Sequence, residues 1–346
     1  MILSGINRIL IIRFNGVGDI VMTMPSLKAI REAYPRATIT WLVDERCAGA
    51  VKDEPRIDEV ITLHRRNLEL MPKLQALKKL WAFISDLRRR RFDLAIDLQG
   101  FSETSLLAWI SGARYRAGHR VKPGIVDRAE FQGLAYNVPC RLPERTLHKV
   151  EYFFQIARSV GGQIKDPSLF FFIPQAQRAY ARDFLRKNRV KRGSLVIGLN
   201  PGPADNPRCW SAANFARLGD LLGRKLKARV ILRGSPGEET LVAEVLSRMK
   251  TRPMVACPTD LQQMAALVSL CRVNVSNDTG PMHVSAATGT PTLGLFRFAH
   301  PVHLRPWGDP RHGWIQTPDH EGQGNMDLIT PEMVFDKVNE MLKNKS

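Results

Sequence analysis

The sequence predicts an α/β protein made of two similar halves, each built on a parallel sheet. Three observations predict it. Short apolar runs alternate with amphipathic stretches of helical period, the pattern of βαβ units. The alternation pauses after about residue 172 and then restarts. The residues just beyond each apolar run are polar and glycine-rich, as expected where a parallel sheet presents its carboxyl ends to a ligand.

In the first half, RILIIRF is a strand, followed by a helix from Ile20 to Tyr34, the strands ATITWLVD and DEVITL, a long basic helix around Lys73 to Arg91, and the strand FDLAIDLQG. This half is taken as a domain over residues 1–172. The apolar run LFFFIP then leads into a connecting helix, Gln175 to Asn188. The second half, residues 173–329, repeats the scheme: SLVIGLNPG, a helix from Asn214 to Leu226, ARVILRGSPG, a helix from Glu238 to Met249, RVNVSND, a short helix closed by Gly289, and TPTLGLF. A last helix fills residues 330–346, because Thr330 can cap it and Pro331 suits its first position.

Length and composition fit this layout. A chain of 346 residues allows two domains with a core each, and 24% charged residues with 44% apolar ones exclude a disordered or fibrous chain. No apolar run reaches the ~20 residues of a membrane span, and MILSGINRILIIRF lacks the small-residue cleavage site of a secretion signal, so the cytoplasm is expected. Five cysteines with no C-x-x-C pair indicate neither a disulfide frame nor a zinc site.

The net charge of +18 calls for an anionic partner or surface. Residues 1–173 hold 27 basic against 18 acidic side chains and the remainder 24 against 15, so the charge is not a tail. Residues 63–91 are locally extreme, with nine basic and two acidic. Arg114 and Arg116 stand in a second basic segment, GARYRAGHRVKPGIVDR, whose loop character favours a binding role. Nucleic acid is not expected, since no aromatic interleaving, zinc finger or RNP-like motif accompanies the charge.

The residues after the strands carry the chemistry. NGVGD, Asn15 to Asp19, opens a helix but has Val21 where a dinucleotide fingerprint needs its third glycine. Asp19 is therefore either a helix cap or a general base at a strand end. NPGPADNPRCW contains Asn200, Gly202 and Arg208, whose guanidinium fork suits a phosphate. RGSPGEE turns into a helix at Glu238, a carboxylate that complements the dipole or chelates ribose hydroxyls. In NDTGPMH, Asp278, Thr279 and Gly280 precede Pro281 at a helix start, a ready anion seat. His283 is a packed core histidine or a donor to that phosphate. No D-x-D, H-E-x-x-H or His/Asp/Cys cluster is present, so no metal and no cofactor are expected, and leaving-group charge falls to helix termini and cations.

Five motifs in this order and spacing resemble glycosyltransferase family 9, the heptosyltransferases of the lipopolysaccharide inner core. They are GVGDIVMTMPSLKAIREAYPRATITWLVDE, FDLAIDLQG followed by SLLAWISGARYRAGH, NPG with RCW, GSPGEE, and NDTGPMHVSAATGTPTLGLF. The resemblance implies a GT-B fold: two facing Rossmann-like domains with parallel sheets and an interdomain cleft, the first taking the acceptor and the second the nucleotide sugar. It implies an inverting, metal-independent transfer from ADP-heptose to Kdo or heptose of a lipid A–Kdo type acceptor at an anionic membrane surface. Attachment to the inner membrane would be peripheral, without insertion.

Residue by residue, the resemblance makes Asp19 the base, Asp278 the carboxylate near the donor sugar, and Arg208 a phosphate contact where the family usually has lysine. Asn200, Gly202, Glu238, Thr279, Gly280 and His283 fall on the donor side, and Arg65, Arg66, Arg114 and Arg116 are expected on the acceptor side. Phe14 and Asn15 replace small serines, and Arg297 replaces a glycine, both departures near the implied cleft. Two alternatives stay open: a GT-B enzyme using another nucleotide sugar or an outer acceptor, and a non-catalytic relative that binds nucleotide or glycolipid.

Overall fold

The computed structural model describes residues 2–64, 70–119, 135–138, 140, 147–203, 209–297, 301–318 and 325–343. The chain divides into two compact units, Met1–Pro167 and Ser168–Ser346.

The first unit holds a five-stranded sheet, every strand of it parallel to its neighbours, in the order β3-β2-β1-β4-β5. The strands are β1 (Arg8–Ile12), β2 (Thr38–Asp44), β3 (Glu59–Leu63), β4 (Leu94–Asp97) and β5 (Tyr115–Gly118). Strand order reverses between β1 and β4, which makes their carboxyl ends the topological switch point. The central strands are continuous apolar runs because helices cover both faces. On one face lie α1 (Val17–Met22), α2 (Met24–Ala33) and α5 (Lys149–Ser159). On the other, α3 (Lys73–Arg89) and α4 (Ser102–Ile110) close over a core that includes Leu10, Ile12, Phe14, Leu42, Leu87 and Leu107.

The single helix expected from Ile20 to Tyr34 is two helices. Pro25, near the start of α2, has no amide to continue the first helix, and Thr23 closes α1 by donating its own amide to Asp19 O and Ile20 O. Phe14, which stands where a small serine is usual, is buried in the core of this unit and fills space that a serine would leave open.

The second unit repeats the topology as a six-stranded parallel sheet, β11-β10-β9-β6-β7-β8. Its strands are β6 (Val196–Asn200), β7 (Arg229–Arg233), β8 (Met254–Ala256), β9 (Val273–Asn277), β10 (Thr292–Phe296) and β11 (Gly313–Gln316). Its helices are α6 (Gln175–Lys187), α7 (Ala212–Lys225), α8 (Glu239–Arg248), α9 (Leu261–Val268), α10 (Gly280–Ala287), α11 (Pro301–Leu304) and α12 (Pro331–Lys343). Side chains of α7, α8 and α12 pack with Leu199, Leu232, Val275 and Leu295 on one face of the sheet. The order reverses between β6 and β9, again setting a switch point at their carboxyl ends.

Candidate active site

Each unit gathers polar residues at its own switch point. In the first unit the chain leaves β1 through Arg13, Phe14 and Asn15, and this segment is tied to the end of β4. Arg13 Nη1 donates to Leu98 O at 3.1 Å, and the Phe14 amide donates to Gln99 Oε1 at 2.9 Å. The turn then needs Gly16, which has φ +77° and caps α1. A Cβ there would stand 2.8 Å from Asp19 Oδ2, so both the backbone and the neighbouring carboxylate demand glycine.

Asp19 lies in the first turn of α1, where a carboxylate complements the helix dipole. Its two oxygens have separate cationic partners: Arg13 Nη2 is 2.6 Å from Oδ2, and Lys149 Nζ is 2.9 Å from Oδ1. With each oxygen held, the carboxylate plane is fixed while remaining lone pairs can still accept a proton. Lys149 opens α5, which His148 caps by accepting the Val150 amide on Nδ1 at 3.2 Å.

Arg13 is buried and lies over the Phe153 ring, its carbon Cζ 5.2 Å from the ring centre. Burial lowers its pKa, and the charges of Asp19 and Asp97 oppose that shift. Asp97, fully buried at the end of β4, accepts from the Tyr136 hydroxyl at 2.6 Å and from the amides of Gln99 and Gly100 at 2.8 and 3.0 Å. Its burial raises its pKa against the pull of those donors, and Tyr136 beside it is raised as well. Arg13 thus answers to two carboxylates, Asp19 by direct contact and Asp97 through its charge.

In the second unit Asn277, the last residue of β9, joins the strand ends. Its Nδ2 donates to Pro201 O at 2.9 Å and Gly202 O at 3.4 Å, and its Oδ1 accepts the Trp210 amide at 3.0 Å. Trp210 is buried and donates Nε1–H to Ile329 O at 2.7 Å, which anchors the far end of the same loop. Asn200, the last residue of β6, is buried beside Ser276 of β9.

Glu238, just before α8, accepts the Ser235 amide at 2.7 Å and packs directly on Gly202. A Cβ at Gly202 would fall 2.1 Å from Glu238 Oε1, so the NPG glycine makes room for the carboxylate. The Asp278 amide donates to Leu295 O at 3.0 Å, which fixes the approach to α10. Thr279 occupies the cap position of α10 with an extended backbone and turns its hydroxyl back to Asn277 O at 3.3 Å, so the helix's first amides have no side-chain cap. His283 is buried one turn further on. Asn200, Gly202, Glu238, Asp278, Thr279, Gly280 and His283 therefore cluster around the carboxyl ends of β7, β6 and β9, three adjacent strands.

The basic residues distribute differently. Arg65, Arg66 and Arg208 lie outside the described residues. Arg114 and Arg116 do not join Asp19: Tyr115 pairs with Leu94 at the start of β4, so these arginines sit toward the opposite, amino edge of the sheet. Arg116 also uses Nε and Nη1 to hold Ala135 O at 2.6 Å and Ala113 O at 2.8 Å. The physical reason is direction, because the segment entering a parallel strand lies at the end away from the ligand side.

Sequence reasoning missed Arg13 and Lys149. Arg13 is hidden in an apolar strand run, and Lys149 is separated from Asp19 by 130 residues. Asn277 was legible as part of NDTGPMH, though not as the staple between two loops.

Comparison with known proteins places these clusters in context. Residues 80–322 match the model of glycosyltransferase family 9 (heptosyltransferase). The lipopolysaccharide core heptosyltransferase OpsX of Haemophilus influenzae is 25% identical over 307 residues, covering 86% of this chain and 81% of that protein. The crystal structure of a family 9 glycosyl transferase from Veillonella parvula superposes with a TM-score of 0.83 at 25% identity, covering 100% of this chain and 99% of the other. The structure of Escherichia coli heptosyltransferase WaaC with ADP-2-deoxy-2-fluoro heptose gives a TM-score of 0.71 at 21% identity, covering 96% and 99%.

Proposed function

The chain belongs to glycosyltransferase family 9, an enzyme family of GT-B fold serving lipopolysaccharide core synthesis, and from that premise we propose that it moves a heptose from ADP-heptose to Kdo or heptose of the inner core. The transfer is read as inverting and metal-independent, in one displacement. The observation that carries this reading is the doubly held Asp19 at the first unit's switch point. A carboxylate with both oxygens oriented by cations suits a base that must meet one hydroxyl in one direction.

In the reaction, the acceptor oxygen attacks the anomeric carbon as its proton passes to Asp19, and the bond from that carbon to the diphosphate oxygen breaks. The electron pair leaves with ADP. Its charge is met by the uncapped amides at Thr279 and Gly280, with Arg208 as the cation and His283 as a further donor. Glu238 takes the ribose hydroxyls, Asp278 borders the donor sugar, and Asn200 and Gly202 shape the loop around the nucleotide. ADP-heptose as donor is supported by the analogue held in the WaaC structure, and a lipopolysaccharide acceptor by the name of OpsX.

The acceptor's phosphates and acidic sugars would meet Lys149 first, with Arg65 and Arg66 as further cations. Peripheral attachment at the cytoplasmic face of the inner membrane accompanies this reading. The test is nucleotide release from a panel of ADP- and UDP-sugars, with a Kdo-lipid A acceptor and no added metal. ADP release that requires both ADP-heptose and the acceptor supports the proposal. Release from a UDP-sugar instead would replace the donor.

A further inference from the structure

The proposed chemistry leaves unused an exposed apolar face on α3. This helix anchors itself through its second half, where Phe83 and Leu87, four residues apart, pack into the core of the first unit. On a different face, Leu74, Leu77 and Trp81 stand at helical spacing i, i+3, i+7 and are 67%, 62% and 72% exposed. Leu70, in the turn before the helix, is equally bare. Large apolar side chains grouped on one helix face are unlike scattered surface leucines and mark an interaction site.

The flanks identify the partner. Lys73 and Lys78 border the apolar face on its two sides, and Lys79 follows; no acidic residue occurs from Leu70 to Ser85. Among the described residues no ion pair engages any of these three lysines. An apolar stripe with Trp, bordered by cations, is the pattern of a helix lying in a bilayer interface. The lysine stems can lie along the acyl boundary while their ammonium groups reach lipid phosphates.

Placement agrees with this. β3 ends at Leu63 beside Asp44, at the sheet's carboxyl edge, and α3 must return to the start of β4 at Leu94. The first turns of α3, which carry the stripe, therefore lie toward the edge of the sheet that bears Asp19. No helix among the described residues is long and apolar enough to cross a membrane.

We propose that the amino-terminal half of α3 docks on an anionic phospholipid bilayer, with Leu74, Leu77 and Trp81 entering the interface and Lys73, Lys78 and Lys79 engaging the headgroups. This differs from attachment by charge alone, the expectation from composition. It deepens the proposed function and rests on its lipid-borne acceptor for its purpose, while its physical basis is the helix surface itself.

The experiment is flotation of the full-length protein with vesicles that carry no sugar acceptor, of phosphatidylcholine alone or with about a third phosphatidylglycerol. Wild type floats with the anionic vesicles. The variant L74S/L77S/W81S keeps its thermal midpoint, because these side chains are exposed, and its partition coefficient falls by about a hundredfold. The variant K73Q/K78Q/K79Q loses the preference for anionic over neutral vesicles. A wild type that stays at the bottom, or an apolar-to-serine variant that floats equally well, overturns the proposal. So does a wild-type dimer that the same variant dissolves, since the face would then join two copies. Turnover on a deacylated, water-soluble acceptor separates the two claims. If wild type floats yet turns over neither this acceptor nor the lipid-borne one, the proposed reaction fails and the docking surface stands.

Discussion

Lys149 Nζ lies 2.9 Å from Asp19 Oδ1, joining the first residue of α5 to the first turn of α1, while Arg13 takes the other carboxylate oxygen. This pairing turns a helix-start aspartate into an oriented group. The lysine is 42% exposed, so its worth to stability is small, below about 1 kcal/mol. Its effect on the reaction is larger, because orientation of a reacting group governs rate. Lys149→Met is expected to lower kcat/KM by about ten- to a hundredfold with little change in thermal midpoint, and Lys149→Arg to retain most of the activity. Steady-state kinetics beside a melting curve check this; an inactive Lys149→Met that is also unfolded would point to a structural role instead.

Gly202 and Glu238 form a second dependent pair. Gly202→Ala would put a methyl 2.1 Å from the Glu238 carboxylate, which must then turn away from its present position, the one proposed to take the ribose. The expected result is a donor KM raised about tenfold. In a Glu238→Ala background the same methyl meets no carboxylate, so the second substitution should add little. A double-mutant cycle with ADP titration is expected to give a coupling of about 1–2 kcal/mol; independent effects would contradict the contact.

Acid stability follows from two buried histidines. Burial lowers His119 and His312 to about 4. His119 Nε2 is 2.8 Å from Tyr152 O, and His312 Nδ1 accepts the Thr292 amide at 3.1 Å, a role open only to the neutral ring. Above an ordinary histidine pKa of about 6.5 both states of the chain are neutral at these sites and nothing is lost. Between that value and about 4 the unfolded chain binds protons that the fold refuses, so stability falls as pH falls. For His119 the loss is about 3 kcal/mol across that window. Denaturant unfolding at neutral pH and at the low end of the window measures it, and equal free energies would contradict the burial.

Both sheets were legible because runs such as RILII and TITWLVD leave few alternatives to a buried parallel strand. The shorter β5, β8 and β11 were not, since three or four residues among polar neighbours carry too little pattern. Among the candidate site residues, Asp19, Glu238 and the Asp278 to Gly280 group announce themselves by following strands within glycine-rich turns. Arg13 and Lys149 do not: one sits in a run that signals strand, and the other becomes a neighbour only through the packing of α5. Arg114 and Arg116 misled for the complementary reason, as a basic loop at the entry to β5 looks like a binding loop until strand direction is known. The exposed stripe of α3 was equally hidden, because Leu74, Leu77 and Trp81 have the spacing of a core face.

The central claim is that Asp19 is the base of an acceptor-dependent heptosyl transfer, and the most direct measurement is ADP formation by wild type and Asp19→Asn from ADP-heptose and a Kdo-lipid A acceptor, with ADP affinity measured in parallel. The account predicts rapid, acceptor-dependent release by wild type. It predicts a turnover about 10²–10⁴-fold lower in the variant, on the order of 3–5 kcal/mol of barrier, with ADP affinity unchanged. Near wild-type turnover by Asp19→Asn would contradict it.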